Sequence, residues 1–344
     1  MTDSGIWGPV PDIDWSEIPE AGVFIINEGN STYNNASLSY YDITTREVKN
    51  DIFLNTNALP LGDVATSMVI RDSLGYIVIN NSGEIIIINK NTFKLEGTIT
   101  GFTSPRYIHF ISDNKAYVSD LYARSIAIID PISREITGYI DVSNNSSEYI
   151  QHPTDEMIKY GRLIFTNCLS NDNKILVIDS DTDQLVDSIE VLIQPQSMVI
   201  DRFNKIWVLT DGGSRSSTYG YETPGLLRID AVLRTVEKIW RFELGDSPGE
   251  LEINGSRDTL YFINRHVYRH SVYSEHDPEV FIESPYPGSA GGFYGLGFDP
   301  NTSDLFVSDA LDHERRGLVY RYRRNGEPVD TFTVGIIPSS FCFK

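Results

Sequence analysis

Pro338-Ser339-Ser340-Phe341-Cys342-Phe343 begins like a repeat unit, and the chain then stops. The same opening stands at Pro105-Arg106-Tyr107-Ile108-His109-Phe110 and at Pro195-Gln196-Ser197-Met198-Val199-Ile200. It returns at Pro248-Gly249-Glu250-Leu251-Glu252-Ile253. The first unit, near Gly22, lacks it. A linear stack has no use for a lone opening strand at its end, but a ring does. The terminal strand supplies the missing inner strand of the first unit and locks the circle. The expected fold is therefore all-β: a seven-bladed β-propeller of four-stranded antiparallel blades, closed by the C-terminal strand.

Each unit reads as strand, turn, strand, loop, strand, turn, strand. The third is clearest. Its strands are expected at Tyr107–Ile111, Ala116–Ser119, Ser125–Ile129 and Glu135–Val142. These runs are short, β-branched and bounded by Asp, Asn, Gly and Ser. Seven units start near Gly22, Ala65, Pro105, Pro153, Pro195, Pro248 and Gly291. Second strands end in Asn27, Asn80, Asp120, Asn167, Asp211, Asn264 and Asp309. Third strands end in Asp42, Asn89, Asp130, Asp179 and Asp230, each before a turn. One Asp or Asn per blade suits turn capping. A metal centre needs several oxygens converging on one point, so none is expected. No helix of three turns is expected either.

The chain has 344 residues and a formal net charge of −20. So acidic a surface repels phosphate backbones, so nucleic acid is not an expected partner. Two cysteines, Cys168 and Cys342, make no disulfide framework and read as buried free thiols. No apolar stretch is long enough for a transmembrane segment. Residues 1–20 are expected to be an N-terminal tether, with Gly5-Ile6-Trp7-Gly8-Pro9-Val10-Pro11 at its centre, and residues 21–344 a single propeller domain.

In such a blade the loop between strands two and three and the blade-to-blade connection share one face. Here the long loops fall on that face, among them Glu28–Ser37, Asn144–His152, Gly212–Pro224 and Ala310–Arg316. Long loops on a rigid scaffold are where binding usually lives. They are rich in Tyr, Ser, Asn and Gly, and tyrosine offers a flat contact with a polar tip. The residues just after each strand opening rim the central channel with mixed donors and acceptors. There is no nucleophile elbow and no phosphate-cradling loop. His313, next to Asp312 and Glu314, and His152, near Glu148, have carboxylate neighbours suited to acid–base work, but no catalytic residue is assigned.

The phrases Ile175-Leu176-Val177-Ile178-Asp179-Ser180-Asp181-Thr182 and Ile126-Ala127-Ile128-Ile129-Asp130-Pro131 resemble YVTN/YncE-like surface-layer propellers. The Trp/Pro-containing tether, the phrase Gly22-Val23-Phe24-Ile25-Ile26-Asn27-Glu28-Gly29-Asn30, the closing tail and the Tyr/Asn-rich loops are together most similar to the BtuG-type cobalamin-binding surface lipoproteins of Bacteroides. That resemblance implies capture of cobalamin (vitamin B12) or a related corrinoid as a transported ligand, with no cofactor. It also implies handover to a TonB-dependent outer-membrane transporter. The location implied is the extracellular face of the outer membrane, lipid-anchored through a leader absent from this chain. The ligand-binding candidates are Tyr122, Tyr149, Tyr219, Tyr221, Phe293 and Tyr294 for aromatic contact. Arg106, Asp120, Asp155, Gln196, Asp211, Glu250 and Asp309 are the polar candidates, with His152 a further one. The alternatives are a structural or protein/glycan-interaction surface-layer propeller, and a lactonase- or lyase-like enzyme. Inward-facing Glu, Asn and Asp around one calcium ion at the channel centre would favour the last.

Overall fold

A computed structural model describes residues 21–144, 151–285 and 292–344; the expected tether and Tyr149 lie outside them. The described strands form seven four-stranded antiparallel sheets. Their inner strands are Ala65–Arg71, Pro105–Ser112, Thr154–Tyr160, Pro195–Ile200, Gly249–Ile253, Phe293–Phe298 and Pro338–Phe343. Each touches the next around a closed ring. The last inner strand belongs to blade 1, where it pairs with Gly22–Asn27 as Val23↔Phe343, Phe24↔Cys342 and Ile25↔Phe341. The chain closes on itself as its terminal repeat predicts.

The side-chain periods explain the packing. In blade 2 the strand Glu84–Asn89 carries a continuous run of isoleucines from Ile85 to Ile88. Ile86 and Ile88 join the cluster with Phe24, Ile26 and Leu38 of blade 1. Ile85 and Ile87 join Ile108, Val118 and Ile129 of blade 3. A middle strand is thus buried on both faces, one against each neighbouring blade, so it carries no polar alternation. Outer strands such as Glu135–Asp141 have one solvated face and do alternate. Truncating one of these isoleucines to alanine costs about 2–5 kcal/mol.

The recurring Asp and Asn cap turns. Asp130 Oδ1 accepts from Ile132 N at 2.8 Å, and Asp230 Oδ1 from Val232 N at 2.8 Å. Asp42, Asn89 and Asp179 do the same two residues on. In all five, the residue four positions later is left-handed: Arg46, Phe93, Arg134, Asp183 and Arg234. Its N–H donates back to the Asp or Asn carbonyl. Blades 6 and 7 lack the Asp and turn otherwise. The helix found, Ile52–Asn57, is short, following the outer strand of blade 1. Cys168 and Cys342 are buried and free.

Candidate functional site

Every inner strand enters the ring from the long-loop face, so its first residues stand at that mouth of the channel. There the ladders slip register. Shifts fall between Pro105 and Ile108, Thr154 and Met157, Pro195 and Ser197, Gly249 and Glu252, and Phe293 and Leu296. An inserted residue re-aims its neighbours, which is how bulges serve sites at barrel rims. Glu250 adopts φ 58, a left-handed conformation a glutamate rarely takes.

The bulges and the end of the Gly22–Asn27 strand bring charged groups together. Arg106 Nε donates to Asp155 Oδ1 at 2.6 Å. Tyr294 OH donates to the Glu28 carboxylate, 3.3 Å from each oxygen. Glu156 accepts from Ser197 Oγ at 3.0 Å and Met198 N at 2.6 Å. Burial, then the charges of Glu252, Glu28 and Asp155, pushes Glu250 up to about 8. Burial raises Glu252 to about 7. Glu28 and Glu156 are raised by burial too, Glu28 against the pull of Arg106. Glu250 reaches the water of the bore while walled in by protein, so screening tempers these couplings. Glu250 and Glu252, with values raised to about 8 and about 7, can both donate and accept hydrogen bonds near neutral pH beside the Arg106 guanidinium. Among the described residues, no three of these carboxyls bring ligand atoms within 4.8 Å of one another.

Of the polar candidates, Arg106, Asp155 and Glu250 share this mouth with Tyr294. Gln196 Nε2 donates to Asp211 Oδ2 at 2.8 Å, and Asp211 also caps Gly213 N. Asp120 is fully engaged as a turn cap, accepting from the N–H groups of Thr103, Ser104, Tyr122 and Ala123. Asp309 caps Leu311 N, and its other oxygen is buried without a partner.

The aromatic candidates divide. Tyr122 is 59% exposed. Tyr221 is partly exposed beneath the Arg215 guanidinium, 5.6 Å from its ring centre. Tyr219 OH is tied to Asn173 Oδ1 at 3.0 Å, and Phe293 is buried against Tyr320. His152 does not stand alone: its Nδ1 lies 2.6 Å from Asp172 Oδ2. Sequence reasoning missed Glu28, Glu156, Glu252 and Asp172. The neighbours Asp155-Glu156 and the spacing Glu250-x-Glu252 on inner strands were signals, but bulges set their aim.

A cavity of about 540 Å³ is lined by none of these mouth residues. Leu54, Ala58, Pro60 and Leu61 line it, with Tyr33 and the paired Arg316 and Asp51.

Residues 21–344 match the family described as Domain of unknown function (DUF5074), and the chain belongs to it. A search of curated proteins finds no match. Among solved structures, the chain is similar to a quinonprotein alcohol dehydrogenase-like protein from Bacteroides thetaiotaomicron. The identity is 14%, the TM-score 0.69, and coverage 94% of this chain and 78% of that one. It is also similar to the periplasmic gluconolactonase of Pseudomonas aeruginosa, at 10% identity and TM-score 0.66, covering 94% and 99%. The Kuenenia stuttgartiensis hydrazine synthase follows at 14% identity and TM-score 0.65, covering 80% and 88%. At these identities the likeness is one of fold, shared by enzymes among others. No helix among the described residues is long and apolar enough to cross a membrane.

Proposed function

We propose that this propeller captures cobalamin or a related corrinoid over the long-loop mouth of its channel. In this reading the corrinoid is cargo, passed to a TonB-dependent outer-membrane transporter by a protein held at the outer surface. The observation that carries the reading is the convergence of Arg106, Asp155, Glu250, Glu28 and Tyr294 at one mouth, with Tyr122 and Tyr221 on loops of the same face. A corrin is broad, apolar on its faces and edged with amides. It needs a wide rigid seat, aromatic contact and many peripheral donors and acceptors. Carboxyls that retain protons near pH 7 donate to amide carbonyls, and Arg106 adds further donors.

Calorimetric titration with cyanocobalamin and with cobinamide tests it. One-site binding of either is the expected result. No heat and no corrinoid colour retained on the protein would reject it, leaving the interaction-propeller and lactonase readings, the latter open to a lactone-hydrolysis assay.

A further inference from the structure

Beside the channel mouth, blade 4 assembles three chemically different metal donors. His152 is the second residue before the inner strand Thr154–Tyr160, and Cys168 ends the strand Leu163–Cys168. Asp172 stands in the loop before Lys174. Each backbone is fixed by pairing. Thr154 sits opposite Cys168 in the ladder. His152 N donates to Val142 O at 2.9 Å, and Gln194 N donates to Asp172 O at 2.8 Å. One donor atom from each of the three side chains lies within 4.8 Å of the other two, the only such grouping of three among the described residues.

We propose that His152, Cys168 and Asp172 bind one zinc-class divalent ion, with the fourth position open toward the long-loop face.

The donor set carries the choice of ion. Imidazole nitrogen, thiolate and carboxylate suit a borderline ion such as Zn²⁺, whereas calcium and magnesium take oxygen alone. Three protein ligands with a free fourth position is the open form of a tetrahedral zinc site. The His152–Asp172 spacing is close to what the ion needs. Tetrahedral bonds of roughly 2.1 Å set neighbouring donors roughly 3.4 Å apart. His152 Nδ1 and Asp172 Oδ2, at 2.6 Å, must part by under about an ångström to admit the ion. Asp172 is already steered by Asn173 N, which donates to its Oδ1 at 2.7 Å.

Metal binding at a thiol releases its proton, so occupancy should rise with pH. The side chain of His152 is 15% exposed and that of Asp172 3%, so the imidazole side is the way in.

The test uses the full chain without a histidine tag, stripped with chelator. Zn²⁺ is titrated in competition with a chromophoric chelator, and Co²⁺ serves as the spectroscopic probe. One equivalent of Zn²⁺ should bind, and Co²⁺ should develop a thiolate charge-transfer band with tetrahedral visible bands. His152→Gln should weaken Zn²⁺ more than tenfold. Cys168→Ala should abolish the charge-transfer band, while Cys342→Ala keeps it. Absence of stoichiometric Zn²⁺ binding by the folded wild type overturns the site, as does affinity unmoved by His152→Gln. A cobalt complex without the thiolate band overturns Cys168 as a ligand. If Cys168→Ala does not fold, the wild-type band and His152→Gln decide.

Discussion

Cys342, two residues before the end of the chain, lies directly opposite Phe24 in the innermost ladder of blade 1. The carbonyl of Gly22 takes the N–H of Lys344 at 2.9 Å, and Asn27 Oδ1 takes the N–H of Gly335 at 3.0 Å. The two ends of the propeller thus share one sheet. Removing Pro338–Lys344 strips blade 1 of its inner strand and leaves an open edge on the channel. The expected loss is on the order of 5 kcal/mol, a fall of roughly 10 °C in melting temperature. A truncated protein melting with the wild type would refute closure as a source of stability.

The seam between blades 1 and 7 has a second latch. Arg321 donates from Nε and Nη2 to Asp304 Oδ2 at 2.9 and 2.6 Å, with both side chains 8% exposed. Its Nη1 reaches Ile43 O of blade 1 at 3.2 Å. Removing one partner strands the other charge in the interior. Asp304→Asn should cost about 3–5 kcal/mol. The double change Asp304→Asn, Arg321→Met should cost less than Asp304→Asn alone. Denaturant unfolding of the three proteins checks the order; equal losses would mean the pair is an ordinary surface bridge.

The turns offer a gain in stability. Arg46 holds a φ of 63 four residues after the capping Asp42, on the exposed surface. A non-glycine residue pays about 1 kcal/mol for that conformation. Arg46→Gly should therefore be neutral to stabilising, by up to about 1 kcal/mol. Arg46→Pro should destabilise strongly, because Pro cannot reach a positive φ and lacks the N–H that donates to Asp42 O at 2.9 Å. Paired thermal melts read both outcomes.

What the sequence made legible follows from what repeats. Strand order, the closing strand and the capping role of Asp42, Asp130 and Asp230 recur once per blade, and periodicity exposes them. The rim was legible as a set of positions, since Arg106, Asp155, Glu250 and Tyr294 all follow a strand opening. Their company was not. Glu28 follows the end of the second strand of blade 1, and Glu156 turns inward through a bulge, which no periodic pattern announces. The His152–Asp172 pair is hidden for another reason. It joins a blade connection to an irregular loop, and neither has a counterpart in other blades.

Stability should also carry the signature of the channel acids. A carboxyl raised in the folded state keeps its proton longer there than in the unfolded chain, whose reference is 4.5. Its contribution is fullest below that value. It is lost as pH rises through the folded values of about 7 for Glu252 and about 8 for Glu250. The double variant Glu250→Gln, Glu252→Gln cannot ionise. Its melting temperature should gain on the wild type steadily from about pH 5 to about pH 8.5. A difference constant across that window would mean the bore is too well hydrated to shift these groups.

The same protons bear on the proposed ligand. If Glu250 donates to a corrin amide, wild-type affinity for cyanocobalamin should weaken as pH passes about 8. Glu250→Gln keeps a donor at all pH values and should bind with a flat profile. Glu250→Ala should bind weakly throughout. Tyr122→Ala with Tyr221→Ala removes aromatic surface that the loops hold partly exposed. If these rings are hot spots, that pair should cost about 2 kcal/mol or more, roughly thirtyfold, without altering the melting temperature. The two sets separate ligand from location. Wild-type binding that ignores both the tyrosines and Glu250 would keep the corrinoid and move its seat elsewhere, with the cavity lined by Leu54, Pro60 and Arg316 the next place to mutate.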